Sequence, residues 1–334
     1  MPDTPLLRVD RLTTVFDLRG GRSPAAVDDV SFSLAAGETL GLVGESGSGK
    51  SVTALSIVRL VLPPGRIAGG RIELEGRNLL ELGEEAMRRV RGRRIGFVFQ
   101  EPMVALNPVY TIGTQIEETL AVHELATGQA ARRRAVELLD AVRVPDPARR
   151  AREYPHQLSG GLRQRAMIAL ALAADPALLI ADEPTTALDV TVQAEILDLL
   201  RDMRRQFNLT LLLITHDLGV IAQMADRVAV MYAGRIVEQA PVDRLFAAPA
   251  HPYTRGLLAS IPGLEPGRRL RAIPGVVPRL GDLPPGCAFA PRCPERFEPC
   301  GAAPPAETPV EPGRTVRCYL HDPAARRAPA GESS

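Results

Sequence analysis

Eight consecutive residues, Gly44-Glu45-Ser46-Gly47-Ser48-Gly49-Lys50-Ser51, carry the sharpest chemical signal in the chain. The pattern G-x-x-x-x-G-K-[ST] suits phosphate. Its glycines let backbone N–H groups converge on phosphate oxygens, its lysine reaches the β- and γ-phosphates, and its hydroxyl meets Mg²⁺. Lys50 is the only lysine among 40 basic residues, so the one ammonium side chain stands where phosphate chemistry needs it. Further on, Leu178-Leu179-Ile180-Ala181 runs apolar into Asp182-Glu183. A carboxylate at such a strand end can hold Mg²⁺ through water, and the next can orient and deprotonate an attacking water. A third segment, Leu158-Ser159-Gly160-Gly161-Leu162, precedes an apolar helical pattern. A serine and glycine amides at a helix N-terminus form an anion site.

These residues need a scaffold that brings distant positions together. The first 40 residues alternate apolar and polar, which predicts antiparallel strands turning at Gly20-Gly21 and Ala36-Gly37. An apolar strand at Thr39 to Val43 leads into the phosphate loop, with a helix from about Lys50 to Leu60 after it. Strand patterns at Arg71 to Leu74, Ile95 to Phe99, Leu178 to Asp182, Leu209 to Thr215 and Arg227 to Tyr232 alternate with helical ones at Leu162 to Ala174 and Val190 to Phe207. That alternation predicts an α/β domain with a mainly parallel sheet. Residues 1–242 are expected to form it, with a helical subdomain inserted at about 101–160. Beyond 242 prolines punctuate every potential element, predicting a loop-rich extension over 243–321 and a disordered tail over 322–334.

Composition narrows the function classes. Apolar residues make up 45% and charged residues 24%, as in ordinary globular proteins, and a net charge of +1 gives no basic footprint for nucleic acid. The longest apolar candidate, Ala166 to Ala181, is broken by Asp175-Pro176, so no membrane span is expected. The N-terminus lacks a secretory pattern, so the chain is expected to stay in the cytosol with its thiols reduced.

The motifs in this order resemble those of the ABC transporter ATP-binding subunits, over about residues 6 to 261. Gly44 to Ser51 matches the Walker A motif, Leu178 to Glu183 Walker B, and Leu158 to Leu162 the signature, with Leu162 where glutamine is commonest. The resemblance implies an ABC-type P-loop NTPase with a RecA-like core, an antiparallel β subdomain and a helical subdomain. It implies ATP and Mg²⁺ as ligands, and two half-sites in which Ser159, Gly160 and Gly161 of one subunit complete the pocket of another. Gln100 then matches the Q-loop glutamine that contacts Mg²⁺ beside Ser51 and Asp182. His216 matches the switch histidine, Glu183 the catalytic carboxylate, Asp189 the D-loop residue, and Phe16 the aromatic that stacks on adenine. Gly44 to Gly49, Lys50, Ser51 and Val52 are the implied nucleotide contacts.

Phe99 to Met103, Leu106-Asn107-Pro108 and His251-Pro252-Tyr253-Thr254 narrow the likeness to the dipeptide and oligopeptide importer branch, which also takes nickel and other small solutes, and Glu45 to Ser48 to its D-type subunit. The implied partners are a related F-type ATPase subunit or a second copy, two transmembrane permease subunits at the cytoplasmic face of the membrane, and an extracytoplasmic solute-binding protein. An ABC ATPase that spans DNA would carry a long coiled coil between Gln100 and Leu158, which are only 58 positions apart here. A module that holds ATP without turnover fits poorly with Lys50, Asp182, Glu183 and His216 all in place.

All four cysteines, Cys287, Cys293, Cys300 and Cys318, fall in the extension at a spacing of C-x5-C-x6-C-x17-C. The spacing lacks the C-x-x-C knuckle of structural zinc, and nearby prolines suit an iron–sulfur cluster. Zinc and unliganded thiols stay open. The resembled importer subunits carry a [4Fe–4S] cluster on a similar pattern.

Overall fold

The structure is a computed structural model describing residues 4–18, 20–186, 188–261 and 272–325. The chain runs β1 (Leu7–Phe16), β2 (Ala25–Leu34), β3 (Thr39–Val43), α1 (Lys50–Ile57), β4 (Gly65–Leu74), β5 (Arg77–Asn78), α2 (Glu84–Val90) and β6 (Ile95–Val98). Four helices follow without an intervening strand: α3 (Pro102–Ala105), α4 (Ile112–Val122), α5 (Gly128–Ala141) and α6 (Pro147–Arg150). Then come α7 (Gly160–Leu172), β7 (Leu178–Asp182), α8 (Val190–Phe207), β8 (Thr210–Thr215), α9 (Leu218–Met224), β9 (Arg227–Tyr232) and β10 (Arg235–Pro241). The last stretch holds α10 (Val242–Ala247), α11 (Pro252–Ala259), β11 (Thr308–Glu311) and β12 (Arg314–Val316).

Strands β9, β3, β8, β7 and β6 lie side by side and parallel. Both faces of this sheet are covered, as side-chain alternation requires of an all-apolar strand. Leu178, Ile180, Leu212 and Ile214 point into one core with α1 and the antiparallel sheet β2-β1-β4-β5. Leu179, Ala181, Leu211 and Leu213 point into the other, against α7, α8 and the inserted helices. The register aligns Val43 with Thr215, and Asp182 with Ile214. The carboxyl ends of β3, β7 and β8 therefore open on one edge of the sheet, where α/β proteins place their ligands.

Two elements differ from the sequence reading. Strand β4 starts at Gly65, well before Arg71, because Gly70 adopts φ +98° and lets the strand bulge past Arg11; a Cβ there would sit 2.6 Å from the Arg11 carbonyl oxygen. Helix α1 stops at Ile57, short of Leu60, because Arg59 takes a left-handed conformation at φ 54°. The extension also reaches back into the sheet. β12 pairs antiparallel with β10 (Glu238 with Val316, Gln239 with Thr315), and β11 pairs with β12, making eight strands in all. Of the tail expected to be disordered, residues 326–334 lie outside the described residues.

Candidate nucleotide site

The phosphate loop turns sharply between β3 and α1, and its glycines are there for space. At Gly44 a Cβ would meet the Met231 carbonyl oxygen at 2.2 Å, and at Gly49, with φ +105°, the Ala26 carbonyl oxygen at 2.5 Å. Gly49 caps α1 with no side-chain acceptor, so the first-turn amides stay open to an anion. Lys50 folds back and donates from Nζ to the carbonyl oxygens of Gly44 (2.8 Å) and Glu45 (3.1 Å). Burial pulls its pKa below the ordinary lysine value, against the pull of Glu183, Asp182 and Glu45.

Around this loop the sheet edge delivers the other sequence-marked groups. Ser51 Oγ donates to Asp182 Oδ1 across 3.1 Å. Asp182 is buried, and desolvation raises its pKa despite that bond. Glu183 sits just past β7 in a left-handed conformation at φ 47°, where its N–H still donates to the Ile214 carbonyl. Its carboxylate meets three side chains: Gln100 Nε2 at 3.3 Å, Thr186 Oγ1 at 2.8 Å and His216 Nδ1 at 3.3 Å. A cavity of about 950 Å³ is lined by Phe16, the whole loop from Gly44 to Val52, Gln100, Glu183 and His216. One space thus holds a cationic cradle on one side and a fixed carboxylate on the other, enough to grip a phosphate chain and activate a water beside it.

Ser159, Gly160, Gly161 and Asp189 do not line this cavity. Ser159 caps α7, accepting from the Leu162 N–H at 3.4 Å, and Ser159 and Gly160 are exposed. Asp189 caps α8, accepting from the Val192 N–H at 3.0 Å. Ala187, in the same segment, lies outside the described residues.

Sequence reasoning missed part of the pocket. From the extension, Leu257, Val277, Pro278, Arg279, Leu280 and Leu283 face the same cavity. Arg292, also from the extension, is bonded to Glu45 in the phosphate loop. Thr186 was missed as well, although its place three residues after Glu183 puts it one turn away.

The four cysteines converge. Cys287, Cys293, Cys300 and Cys318 line one small cavity together with His251, and the Cys287 N–H donates to the Cys300 carbonyl at 2.9 Å. Burial raises the thiol pKa values of Cys287 and Cys293, and that of Cys318 to about 11. Among the described residues no three His, Cys, Asp or Glu side chains form a group able to hold a metal ion. The zinc geometry left open above is therefore not formed, and nothing in these residues demonstrates the expected iron–sulfur cluster either.

A parallel sheet with a phosphate loop after its central strand, a carboxylate pair at the end of a second strand and a histidine at the end of a third defines a P-loop nucleotide-binding ATPase. Known proteins agree. The ABC transporter family matches residues 27–186, and the oligopeptide/dipeptide transporter C-terminal region matches residues 237–300. A protein of Brucella abortus (strain 2308) named as a peptide import ATP-binding protein is 53% identical over 315 residues, covering 94% of each chain. One of Brucella melitensis biotype 1 is 54% identical over 331 residues, covering 95% of this chain and 98% of its own. Among solved structures, a dimeric ATP-binding cassette in a post-hydrolysis state with ADP and phosphate superposes with a TM-score of 0.64 at 28% identity, over 71% of this chain and 98% of that one. A component of the cbiONQ transporter complex of Clostridium perfringens does so with 0.62 at 26% identity, over 73% and 91%. The chain belongs to the ABC transporter ATP-binding proteins, and to the group among them that carries the oligopeptide/dipeptide C-terminal region.

Proposed function

We propose that this chain binds MgATP in the Lys50 cavity, hydrolyses it with Glu183, and so energises peptide import through membrane permease subunits. The carrying observation is the Glu183 carboxylate, fixed from three sides in the cavity that holds the only lysine. In this reading Lys50 exchanges its two loop carbonyls for the β- and γ-phosphates, the loop amides through Val52 hold phosphate oxygens, and Phe16 stacks on adenine. His216 meets the γ-phosphate. Glu183 orients the attacking water and takes its proton, while Gln100 and Thr186 hold the carboxylate still.

Ser51 and Gln100 would hold Mg²⁺, with Asp182 engaging it through a bound water. Their fit rests on the Ser51–Asp182 contact and on the burial of Asp182, whose charge a cation would offset. A Mg²⁺ site of this kind takes one or two protein oxygens and fills the rest with phosphate and water, so no carboxylate triad is required. Bound there, the ion would neutralise charge on the β- and γ-oxygens.

Exposure of Ser159 and Gly160 away from their own chain's cavity favours a closed dimer, in which these groups and Asp189 meet the nucleotide of the opposite subunit. The partner in this reading is a related F-type subunit or a second copy. The permease subunits would dock at the cytoplasmic face on the segment after Gln100, where Met103, Val104, Val109 and Tyr110 are exposed apolar side chains. No helix among the described residues is long and apolar enough to cross a membrane. In this reading the path for solute belongs to the permease subunits. Peptide is favoured over nickel by the relatives' names and the matched C-terminal region. An extracytoplasmic binding protein would deliver the solute.

The extension would hold a [4Fe–4S] cluster on Cys287, Cys293, Cys300 and Cys318, acting as an internal crosslink. Support comes from their shared cavity and from His251. Its Nδ1 accepts from the Tyr253 N–H, leaving Nε2 a buried donor with no partner in that same cavity. Sulfide could accept from it.

Steady-state ATPase assays of the parent and Glu183→Gln test the central reading. The variant is expected to bind MgATP and lose about 10²–10⁴-fold in rate. Equal rates would remove Glu183 from the chemistry.

A further inference from the structure

The phosphate loop contains a carboxylate, which is an odd group to place against a triphosphate. Glu45 lines the nucleotide cavity, and its carbonyl oxygen is one of the two that Lys50 engages. Like charges at such distances cost binding energy unless one is neutralised. Here the neutralising group comes from far along the chain. Arg292 Nη1 and Nη2 donate to Glu45 Oε1 and Oε2 at 3.0 and 3.1 Å, a two-pronged pair. The guanidinium is itself held in place. Its Nε donates to the Pro274 carbonyl at 2.8 Å, its Nη1 reaches Tyr232 Oη at 3.3 Å, and it lies against the rings of Tyr232 and Phe289 with 5% of its side chain exposed. The Glu45 N–H in turn donates to Tyr253 Oη at 2.9 Å.

We infer that Arg292 is a positioning residue for ATP: from the extension it holds the Glu45 carboxylate away from the phosphates. Glu45 is gripped at three points, and two of the gripping side chains, Arg292 and Tyr253, come from beyond residue 250. The extension is then part of the nucleotide site. The inference rests on the assignment of the Lys50 loop to ATP.

The test uses the full-length protein, purified without oxygen, with MgATP as the probe. R292M keeps an unbranched side chain between the two rings but drops the charge. It is expected to raise KM for MgATP about tenfold with kcat within about threefold of the parent. R292K keeps the charge without the fork and is expected to raise KM about threefold. Adding E45Q to R292M removes the unpaired carboxylate and is expected to return KM to within about threefold of the parent, a rescue that a packing defect would not show. The inference is overturned if R292M/E45Q stays as impaired as R292M, or if R292K and R292M keep the parent KM. Should R292M fail to fold, the R292K value decides in the same two directions. A parent protein with no measurable MgATP binding would instead defeat the underlying assignment of the loop.

Discussion

Arg314 Nη2 donates to Glu238 Oε1 across 3.0 Å, and both side chains are buried, Arg314 at 7% exposure and Glu238 completely. The pair ties β12 of the extension to β10 of the sheet, and Arg314 also donates to the Ala248 carbonyl. Glu238 further accepts from the N–H groups of Ala250 and His251, each at 2.9 Å. Arg314→Met would leave a buried carboxylate with backbone donors alone. The expected loss is about 3 kcal/mol, at the lower end for a broken buried pair because those two donors remain. Urea unfolding measures it, and a loss below about 1 kcal/mol would show that the extension is not anchored here.

The sequence displayed some of this architecture openly and hid the rest. Lys50 and its glycines were legible because a phosphate loop is built from adjacent residues, so its chemistry survives being written in one dimension. Asp182, Gln100 and His216 were legible at one remove, since each follows an apolar strand pattern and parallel strands bring their carboxyl ends together. Arg292 was not legible. Nothing local separates it from the other arginines, and its partner lies 247 residues away. The pairing of β12 with β10 was hidden for a similar reason: a three-residue strand amid prolines carries no periodicity, and its register is set by Glu238 inside the sheet. The bulge at Gly70 was also out of reach, because a glycine in a strand pattern does not say which backbone it makes room for.

Ser159 stands at an exposed helix N-terminus outside its own chain's cavity. If it serves the opposite subunit's nucleotide, a bulky cation there should spare binding and destroy turnover. Ser159→Arg is expected to bind MgATP within about threefold of the parent and to hydrolyse it at least about 10²-fold more slowly, the scale for loss of an aligned donor to phosphate. Equilibrium nucleotide binding and steady-state ATPase rates separate the two. A parallel loss of both would place Ser159 in its own chain's site.

Val104 is 79% exposed in the segment that follows Gln100. In the proposed reading this exposed apolar side chain belongs to the surface on which the permease would dock. Val104→Asp should leave the ATPase rate of the isolated subunit unchanged, because the residue touches none of the groups around Glu183. In vesicles reconstituted with the permease, peptide-stimulated hydrolysis and uptake should both fall about tenfold, the scale of one anchor lost from an interface. Uptake equal to the parent's would move the docking surface elsewhere.

The cysteine cavity makes the most exacting demand on its occupant. Burial raises the thiol pKa values of Cys287 and Cys293, and that of Cys318 to about 11, so a ligand must displace protons from these sulfurs. It must also leave room for a donor, since His251 Nε2 is buried with nothing to bond. A single zinc ion bound by four thiolates would offer that imidazole no acceptor. In the proposed reading a cluster would offer its sulfide to the imidazole. Protein purified without oxygen is therefore expected to carry iron and acid-labile sulfide in equal amounts, and Cys300→Ser to lose most of both. His251→Ala should retain the iron but shift the cluster's midpoint to lower potential, because a hydrogen bond to sulfur favours the more negatively charged reduced state. Iron-free protein loaded with zinc would reject the cluster, and an unmoved midpoint in His251→Ala would reject the hydrogen bond.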